Sequence, residues 1–324
     1  MTKLARLYVV MLRYRVAAMV AMFMLLGAAS VGSVHLGLRY VWAAVALASS
    51  YVAATALNDL ADEAIDRINH PRDAGRPLVE GTASRRELLI LHVVASALAL
   101  AAAGPLGGRA VALVAASLAV SQIYSARPVR LSYRVAGAPV ALGIAYVLVP
   151  YSLGIVAAEA SLRRASSALT CALFLLFAAR IVLKDFRDRA GDAAFGKPTL
   201  LLRYGKSATC AVSFAALAAG DAALVSALGP RVGVVVQPLI AAIAWMLRDL
   251  GRADDALAEQ VAIGLGARLG NGVLLSTLAW LLVHASGATR TEALAVAGLI
   301  SALFLITTAT LAARPQDVVI GYKG

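Results

Sequence analysis

Two acidic segments of this chain repeat one spacing of their aspartates. The six residues are Asp59, Asp62, Asp66, Asp185, Asp188 and Asp192. In each segment they stand at positions i, i+3 and i+7, which places three carboxylates on one face of a helix. Each segment also closes a long apolar run, so the carboxylates are predicted to lie at helix ends near a membrane surface. Carboxylate oxygens together with substrate phosphate oxygens are the ligands that Mg²⁺ prefers. The spacing therefore predicts a site in which metal ions hold a polyphosphate.

Basic side chains accompany both acidic segments. The chain has only five lysines, and three of them stand in the stretch 184–206. Lysine suits phosphate as a compact charge, and arginine can grip it with two hydrogen bonds. The candidates in these segments for binding the phosphate or completing the metal shell are Asn58, Arg76, Lys184, Arg187 and Lys197. Arg130, on the loop after the fourth predicted span, is a further candidate. A salt-bridged, solvated helix end explains one such segment equally well, whereas two matched segments favour a metal–diphosphate site.

Composition indicates a membrane protein. Of the 324 residues 61% are apolar and 15% are charged, and the mean hydropathy is +0.80. Soluble domains have about 45–50% apolar residues. Apolar runs long enough to cross a bilayer, about 17–25 residues, recur along the chain. The ten predicted spans are 16–34, 40–57, 88–104, 109–124, 135–157, 165–183, 208–228, 231–247, 265–284 and 292–312. We therefore predict an all-α, polytopic transmembrane bundle, a single domain over 1–324 with a core of about 13–290.

The distribution of positive charge predicts the orientation. With a cytoplasmic N-terminus, 23 Lys and Arg residues fall on the cytoplasmic side and six on the other. This bias is a strong positive-inside signal, and it places both acidic segments on the cytoplasmic side of the membrane. The net charge of +12 is then a consequence of topology, and nucleic acid is not an expected partner. No P-loop, G-x-G-x-x-G turn or nucleophile elbow appears, and Cys171 and Cys210 are expected to be small core residues.

These segments resemble the signatures of one known family. The first segment, with the Arg-Pro-Leu and Gly that follow it, resembles the N-D-x-x-D-x-x-x-D signature of the UbiA-type intramembrane prenyltransferases, and the second resembles their D-x-x-D-x-x-x-D signature. Tyr124-Ser125, with Pro128 and Arg130, resembles the family's Tyr-Ser element after the fourth helix. The resemblance implies nine core helices around a central cavity, with cytoplasmic aspartates that bind Mg²⁺ and a prenyl diphosphate; the run 292–312 would add a tenth helix.

The resemblance also implies a reaction. The six aspartates would hold Mg²⁺ ions that help an allylic diphosphate to ionise. Tyr124 would face the allylic cation, with Ser125 beside the substrate, although a tyrosine of the interfacial belt explains Tyr124 equally well. The expected activity is transfer of the prenyl group to an aromatic or lipid-like acceptor. Cyclisation without an acceptor is the alternative. A transporter would carry acidic groups at midplane, where this chain has little charge apart from Arg180.

Three departures from the family leave the acceptor open. An Arg-Pro pair is common before the first helix, but here the segment reads Arg13-Tyr14-Arg15-Val16. A lysine is frequent after the Tyr-Ser element, where this chain has Ser132. The loop after the first acidic segment is longer, through residues 70–75. We expect an integral protein of a bacterial or archaeal cell membrane with its active site toward the cytoplasm.

Overall fold

A computed structural model describes residues 2–32, 37–71, 75–164 and 166–323. All regular secondary structure in these residues is helical. The principal helices are α1 Lys3–Met11, α2 Tyr14–Ser30, α3 Leu38–Asn69, α4 Pro77–Glu80, α5 Arg85–Ala103, α6 Gly108–Ser125, α7 Gly137–Gly143, α8 Val149–Ala157, α9 Ser167–Ile181, α10 Asp185–Ala194, α11 Leu200–Leu228, α12 Pro230–Arg252, α13 Ala256–Ala285, α14 Arg290–Ala312 and α15 Pro315–Lys323.

Nine helical stretches of the described chain are long and apolar enough to cross a membrane. Helices α1 and α2, bent by 65° at their junction, would together make a tenth span. This confirms the predicted transmembrane bundle, including the extra helix α14 near the C-terminus. Parts of the predicted spans 16–34 and 165–183, and the loop residues 72–74, lie outside the described residues. The single domain over 1–324 stays a prediction.

The first predicted span, 16–34, corresponds to α2, but a separate short helix precedes it. The chain forms α1, turns at Arg13, whose φ of 44° is left-handed, and then forms α2 from Tyr14. Thr2 caps the N-terminus of α1 by accepting a hydrogen bond from the backbone amide of Ala5. A nine-residue helix is too short to register as a membrane span, so hydropathy alone did not reveal it.

The first compact unit of the chain comprises Met1–Ala28, His35–Arg163 and Asp188–Thr199. Helix α3 packs against α5, α6 and α8 within it. His92 of α5 joins these helices, because its Nδ1 lies 2.9 Å from the Ala53 carbonyl oxygen and its Nε2 lies 2.8 Å from Gln122. Ser50 donates to Ser117 across the interface of α3 with α6, at 3.2 Å. Such short polar links join helices where lipid supplies no hydrophobic driving force.

The second compact unit comprises Ala29–Val34, Arg164–Arg187 and Leu200–Gly324. In it α9 packs on α11, and α12, α13 and α14 pack on one another. Arg180, which lies in a predicted membrane span, donates from Nη1 to the Asn271 side-chain oxygen at 3.0 Å. Gly270 leaves room for this arginine, since a Cβ there would come within 2.6 Å of Arg180 Cδ. The intramembrane arginine is thus accommodated by a helix–helix contact.

Candidate active site

The first acidic segment forms the last turns of α3. The helix continues without a break from its apolar part to Asn69, so Asp59, Asp62 and Asp66 share one buried face, as predicted. Their exposed fractions are 2%, 7% and 5%. Asn58 donates from Nδ2 to Asp62 Oδ2 at 3.1 Å. Asn58, which was predicted to complete the metal or phosphate shell, therefore contacts a carboxylate of the same segment.

Two arginines hold the carboxylate of Asp59. Arg13 Nη2 lies 2.8 Å and 2.7 Å from its two oxygens, and it also donates to the Gly75 carbonyl at 3.2 Å. Arg76 Nη1 lies 3.2 Å from Asp59 Oδ1 and donates to Asp66 as well. Arg76 was predicted from the sequence, whereas Arg13 was noticed only as a departure from the Arg-Pro pair. Buried carboxylates are stable only with such partners.

Arg130 holds Asp62. Its Nη2 donates to Asp62 Oδ1 at 2.8 Å and to the Ala61 carbonyl at 3.0 Å. The guanidinium also lies over the ring of Tyr133, 3.9 Å from the centroid. Among the described residues the buried Nε of Arg130 and the buried hydroxyl of Ser132 have no hydrogen-bond partner. Arg130 therefore keeps donor capacity beyond its ion pair.

The second acidic segment forms α10, so its spacing is also helical. Asp188 and Asp192 belong to the first compact unit. His70 Nε2 lies 3.1 Å from Asp188 Oδ1. Lys197 donates from Nζ to Asp192 Oδ1 at 3.2 Å, and both side chains are buried. Lys197, a predicted phosphate ligand, is thus held beside a predicted metal ligand.

Three further predicted residues belong to the second compact unit. Asp185 is the buried first residue of α10. Lys184 is half-buried in the turn before it, and Arg187 is exposed. Their roles in binding metal or phosphate stay predictions.

Three tyrosines of the first compact unit lie on α3, on α6 and in the turn between α7 and α8. Tyr124 and Ser125 end α6, where Ser125 is buried and Tyr124 is half-buried. Tyr146 lies in the π-helical turn Ile144–Leu148. The rings of Tyr51 and Tyr146 meet edge to face with centroids 5.7 Å apart. Tyr51 precedes Asp59 on α3 by eight residues, so their α-carbons are about 12 Å apart along the helix axis.

The donor set fits Mg²⁺ by its chemistry. In the described part of the chain no three His, Cys, Asp or Glu side chains converge closely enough to hold a metal by themselves, and the carboxylates of α3 are turned toward arginines. Mg²⁺ is usually bound by one or two carboxylates plus substrate phosphates, and it seldom sits in an all-protein cage. The aspartates can therefore supply some of the oxygen ligands of Mg²⁺, and the phosphates of the substrate can supply others.

Sequence reasoning missed Arg13, His70, Tyr51 and Tyr146. A signal for His70 existed, because it follows Asp66 by four residues and so extends the face of Asp59, Asp62 and Asp66. The position of Arg13 at the place of the family's Arg-Pro pair was its only signal. It reaches Asp59 across 46 positions of sequence, and only the packing of the turn before α2 against α3 brings the two together.

Curated relatives of this chain include two archaeal proteins with the same name. The digeranylgeranylglyceryl phosphate synthase of Methanothermobacter thermautotrophicus is 29% identical over 228 residues, which cover 68% of this chain and 77% of that protein. The protein of that name from Methanopyrus kandleri is 29% identical over 212 residues, covering 64% and 73%.

Solved structures show the same fold. A UbiA homolog from Archaeoglobus fulgidus bound to GPP and Mg²⁺ superposes with a TM-score of 0.60 at 17% identity, covering 97% of this chain and 99% of that one. A UbiA homolog from Aeropyrum pernix superposes with a TM-score of 0.64 at 22% identity, covering 86% and 98%. The family model described as the UbiA prenyltransferase family matches residues 16–271. This chain therefore belongs to the UbiA prenyltransferase family.

Proposed function

We propose that this protein transfers a prenyl group from a prenyl diphosphate to a lipid-like acceptor, with Mg²⁺ as its cofactor. The observation that carries the proposal is the pairing of buried carboxylates with cations in the first compact unit. Arg76 bridges Asp59 and Asp66, and Arg130 holds Asp62. A metal–diphosphate complex carries positive charge on the metal and negative charge on the phosphates. Carboxylates are suited to bind the metal, and arginines are suited to bind the phosphates.

The metal ligands are proposed to be Asp59, Asp62, Asp66, Asp185, Asp188 and Asp192. Mg²⁺ bound there supplies Lewis-acid stabilisation of the negative charge on the departing diphosphate. Support comes from the Archaeoglobus fulgidus homolog, whose solved structures are bound to GPP and Mg²⁺ and to DMAPP and Mg²⁺.

The basic residues are proposed to bind the diphosphate itself. Arg13, Arg76 and Arg130 now neutralise the α3 carboxylates, and each guanidinium has five N–H donors. Each arginine can therefore donate hydrogen bonds to phosphate oxygens and still remain paired with its aspartate. Lys197 contributes in the same way next to Asp192. Asn58, Lys184 and Arg187 are proposed to complete the set, and Ser125 to contact the substrate.

The proposed reaction breaks the bond between C1 of the prenyl chain and the diphosphate oxygen, and the diphosphate leaves with the electron pair. The acceptor nucleophile then forms a bond to C1 and releases its proton to water. Tyr124 is proposed to face the allylic cation, because an aromatic face stabilises positive charge. Tyr51 and Tyr146, whose rings are in contact, extend this aromatic wall.

We infer that the acceptor is a lipid with a glyceryl phosphate head. The name of the curated relatives describes a product of that class. Arg127 and Arg134 are exposed on the loop after α6, and Arg130 keeps a buried donor without a partner among the described residues. These groups are suited to an anionic head group. The positive-inside bias supports a site that faces the cytoplasm of a bacterial or archaeal cell.

The test uses purified protein in lipid nanodiscs with Mg²⁺ and a panel of prenyl diphosphates. Each is offered alone, with a prenylated glyceryl phosphate, or with an aromatic acid, and products are identified by mass spectrometry. We expect a product whose mass is that of the acceptor plus the prenyl group, and slow diphosphate release without an acceptor. Full-rate release with a cyclic hydrocarbon or alcohol as product would establish the cyclase alternative. No turnover with any combination would refute the proposal.

A further inference from the structure

The C-terminal end of α3 contacts α10 at Gly191. Asn69, the last residue of α3, accepts a hydrogen bond at Oδ1 from the backbone amide of Gly191, with a distance of 2.6 Å. A Cβ on Gly191 would lie 2.6 Å from the Ile65 carbonyl oxygen and 2.7 Å from Asn69 Nδ2. Only glycine fits between two helices that approach this closely. The contact lies one residue before Asp192 and three residues after Asp188.

His70, the residue after Asn69, makes a second contact with α10. The backbone amide of His70 donates to the Asp66 carbonyl at 2.8 Å, which fixes the residue at the end of α3. Its side chain then reaches Asp188 at 3.1 Å. The side chains of His70 and Asp188 are only 11% and 14% exposed, so water competes little for this hydrogen bond.

We propose that Asn69 and His70 are positioning residues that lock the second acidic segment against the first. Asn69 fixes the backbone of α10 relative to α3, and His70 fixes the carboxylate of Asp188. The inference rests on the proposed function, in which both segments serve one metal–diphosphate complex. Hydrogen bonds to ligating carboxylates orient them, and the loss of such partners commonly costs 10–100-fold in metal affinity.

The contacts of Asn69 and His70 favour a role in positioning the carboxylates over a role in filling space. Both links join the polar atoms of two adjacent residues to one helix, and they flank the carboxylates that need fixed directions. A contact that only filled space would be satisfied by any side chain of the same volume. The two explanations therefore diverge for substitutions that keep the shape and remove the hydrogen bond.

Matched pairs of variants separate these explanations. His70→Phe keeps a ring and removes the donor, whereas His70→Gln keeps a neutral donor. Asn69→Leu keeps the branched shape and removes the acceptor, whereas Asn69→Asp keeps an acceptor oxygen. His284→Phe, at an exposed position near the end of α13, is the control. None of these changes leaves a large cavity, so folded protein is expected in each case.

The first readout is the binding of Mn²⁺ in the presence of inorganic diphosphate, followed by electron paramagnetic resonance. We expect His70→Phe and Asn69→Leu to weaken binding by roughly 10–100-fold. His70→Gln keeps a donor for Asp188 and should bind nearly as tightly as the wild type, and His284→Phe should be unchanged. Equal binding by His70→Phe, Asn69→Leu and the wild type would overturn the inference. No binding by the wild type would instead refute the proposed function.

The second readout needs neither metal nor turnover. Spin labels on cysteines at Ala64 and Ala194, both exposed, report the distance between α3 and α10 after Cys171 and Cys210 are replaced by alanine. We expect one narrow distance distribution in the parent chain and in His70→Gln, and a broader one in Asn69→Leu combined with His70→Phe. An unchanged distribution in that double variant would overturn the positioning role, even if its metal affinity had fallen.

Discussion

The α-carbon of Gly154 in α8 lies against the backbone carbonyl of Met24 in α2, so closely that a Cβ there would come within 1.8 Å of the oxygen. The contact is reciprocal, because a Cβ on Gly27 would lie 1.9 Å from the Tyr151 carbonyl oxygen. Helices in lipid associate through such small residues, which allow their backbones to pack directly. The crossing of α2 and α8 therefore depends on glycine at both positions.

Replacement of Gly154 should destabilise the protein. The clash of Gly154→Ala is with backbone atoms, which cannot rotate away as a side chain would, so we expect a cost of about 3 kcal/mol. Gly298→Ala is the matched control, since this glycine lies within α14 with no neighbour inside 4 Å of the added Cβ. Thermal unfolding in detergent checks this: the midpoint should fall by roughly 4 °C for Gly154→Ala and stay level or rise for Gly298→Ala.

Activity should depend on metal and on both acidic segments. We expect loss of turnover in EDTA and recovery with Mg²⁺. Asp62→Asn and Asp188→Asn should each lower kcat at least about 10²-fold, the usual effect of removing one electrostatic contributor. Asp221→Asn is the control, because Asp221 pairs with Gln237 between α11 and α12, outside both acidic segments. Full activity in both site variants would contradict the two-segment site.

Arg13 should be as important as the predicted basic residues. Arg13→Gln leaves the buried carboxylate of Asp59 with Arg76 at 3.2 Å as its remaining arginine partner. It also removes one charge from the proposed diphosphate site. We expect kcat/KM for the prenyl diphosphate to fall about 10²-fold. Arg15→Gln, two residues away, changes an exposed arginine that contacts Tyr14, and it should leave kcat/KM nearly unchanged. Equal effects of the two substitutions would contradict a specific role for Arg13.

The charge bias predicts how the chain crosses the membrane. Single cysteines at Thr82 and Ala194, introduced after Cys171 and Cys210 are replaced, should react with a membrane-impermeant maleimide only from the cytoplasmic side. A cysteine at Arg163 should react only from the other side. All three positions are exposed. Labelling of positions 82 and 163 from the same side would mean that the number of spans between them is even, against the predicted three.

The sequence determined the membrane architecture because crossing a bilayer imposes a simple requirement. About 20 apolar residues in a row suffice to specify a spanning helix, and the long helices from α3 to α14 satisfy that requirement locally. The spacing of the six aspartates was equally local, because the helical repeat alone sets which residues share a face. The types of Arg76, Arg130 and Lys197 likewise indicated a charged site before any contact was known.

Only the tertiary structure decided which of these groups meet. Arg13 reaches Asp59, and His70 reaches Asp188 across 118 positions of sequence; neither pair follows from a local repeat. Helix α1 escaped detection because it is too short to span a membrane, and the close approach at Gly191 depends on how α10 lies against α3. In a bilayer, an apolar helix face that contacts lipid has the same composition as one that contacts another helix. Hydropathy therefore specifies which segments are helices, and packing at small and polar residues decides which helices are neighbours.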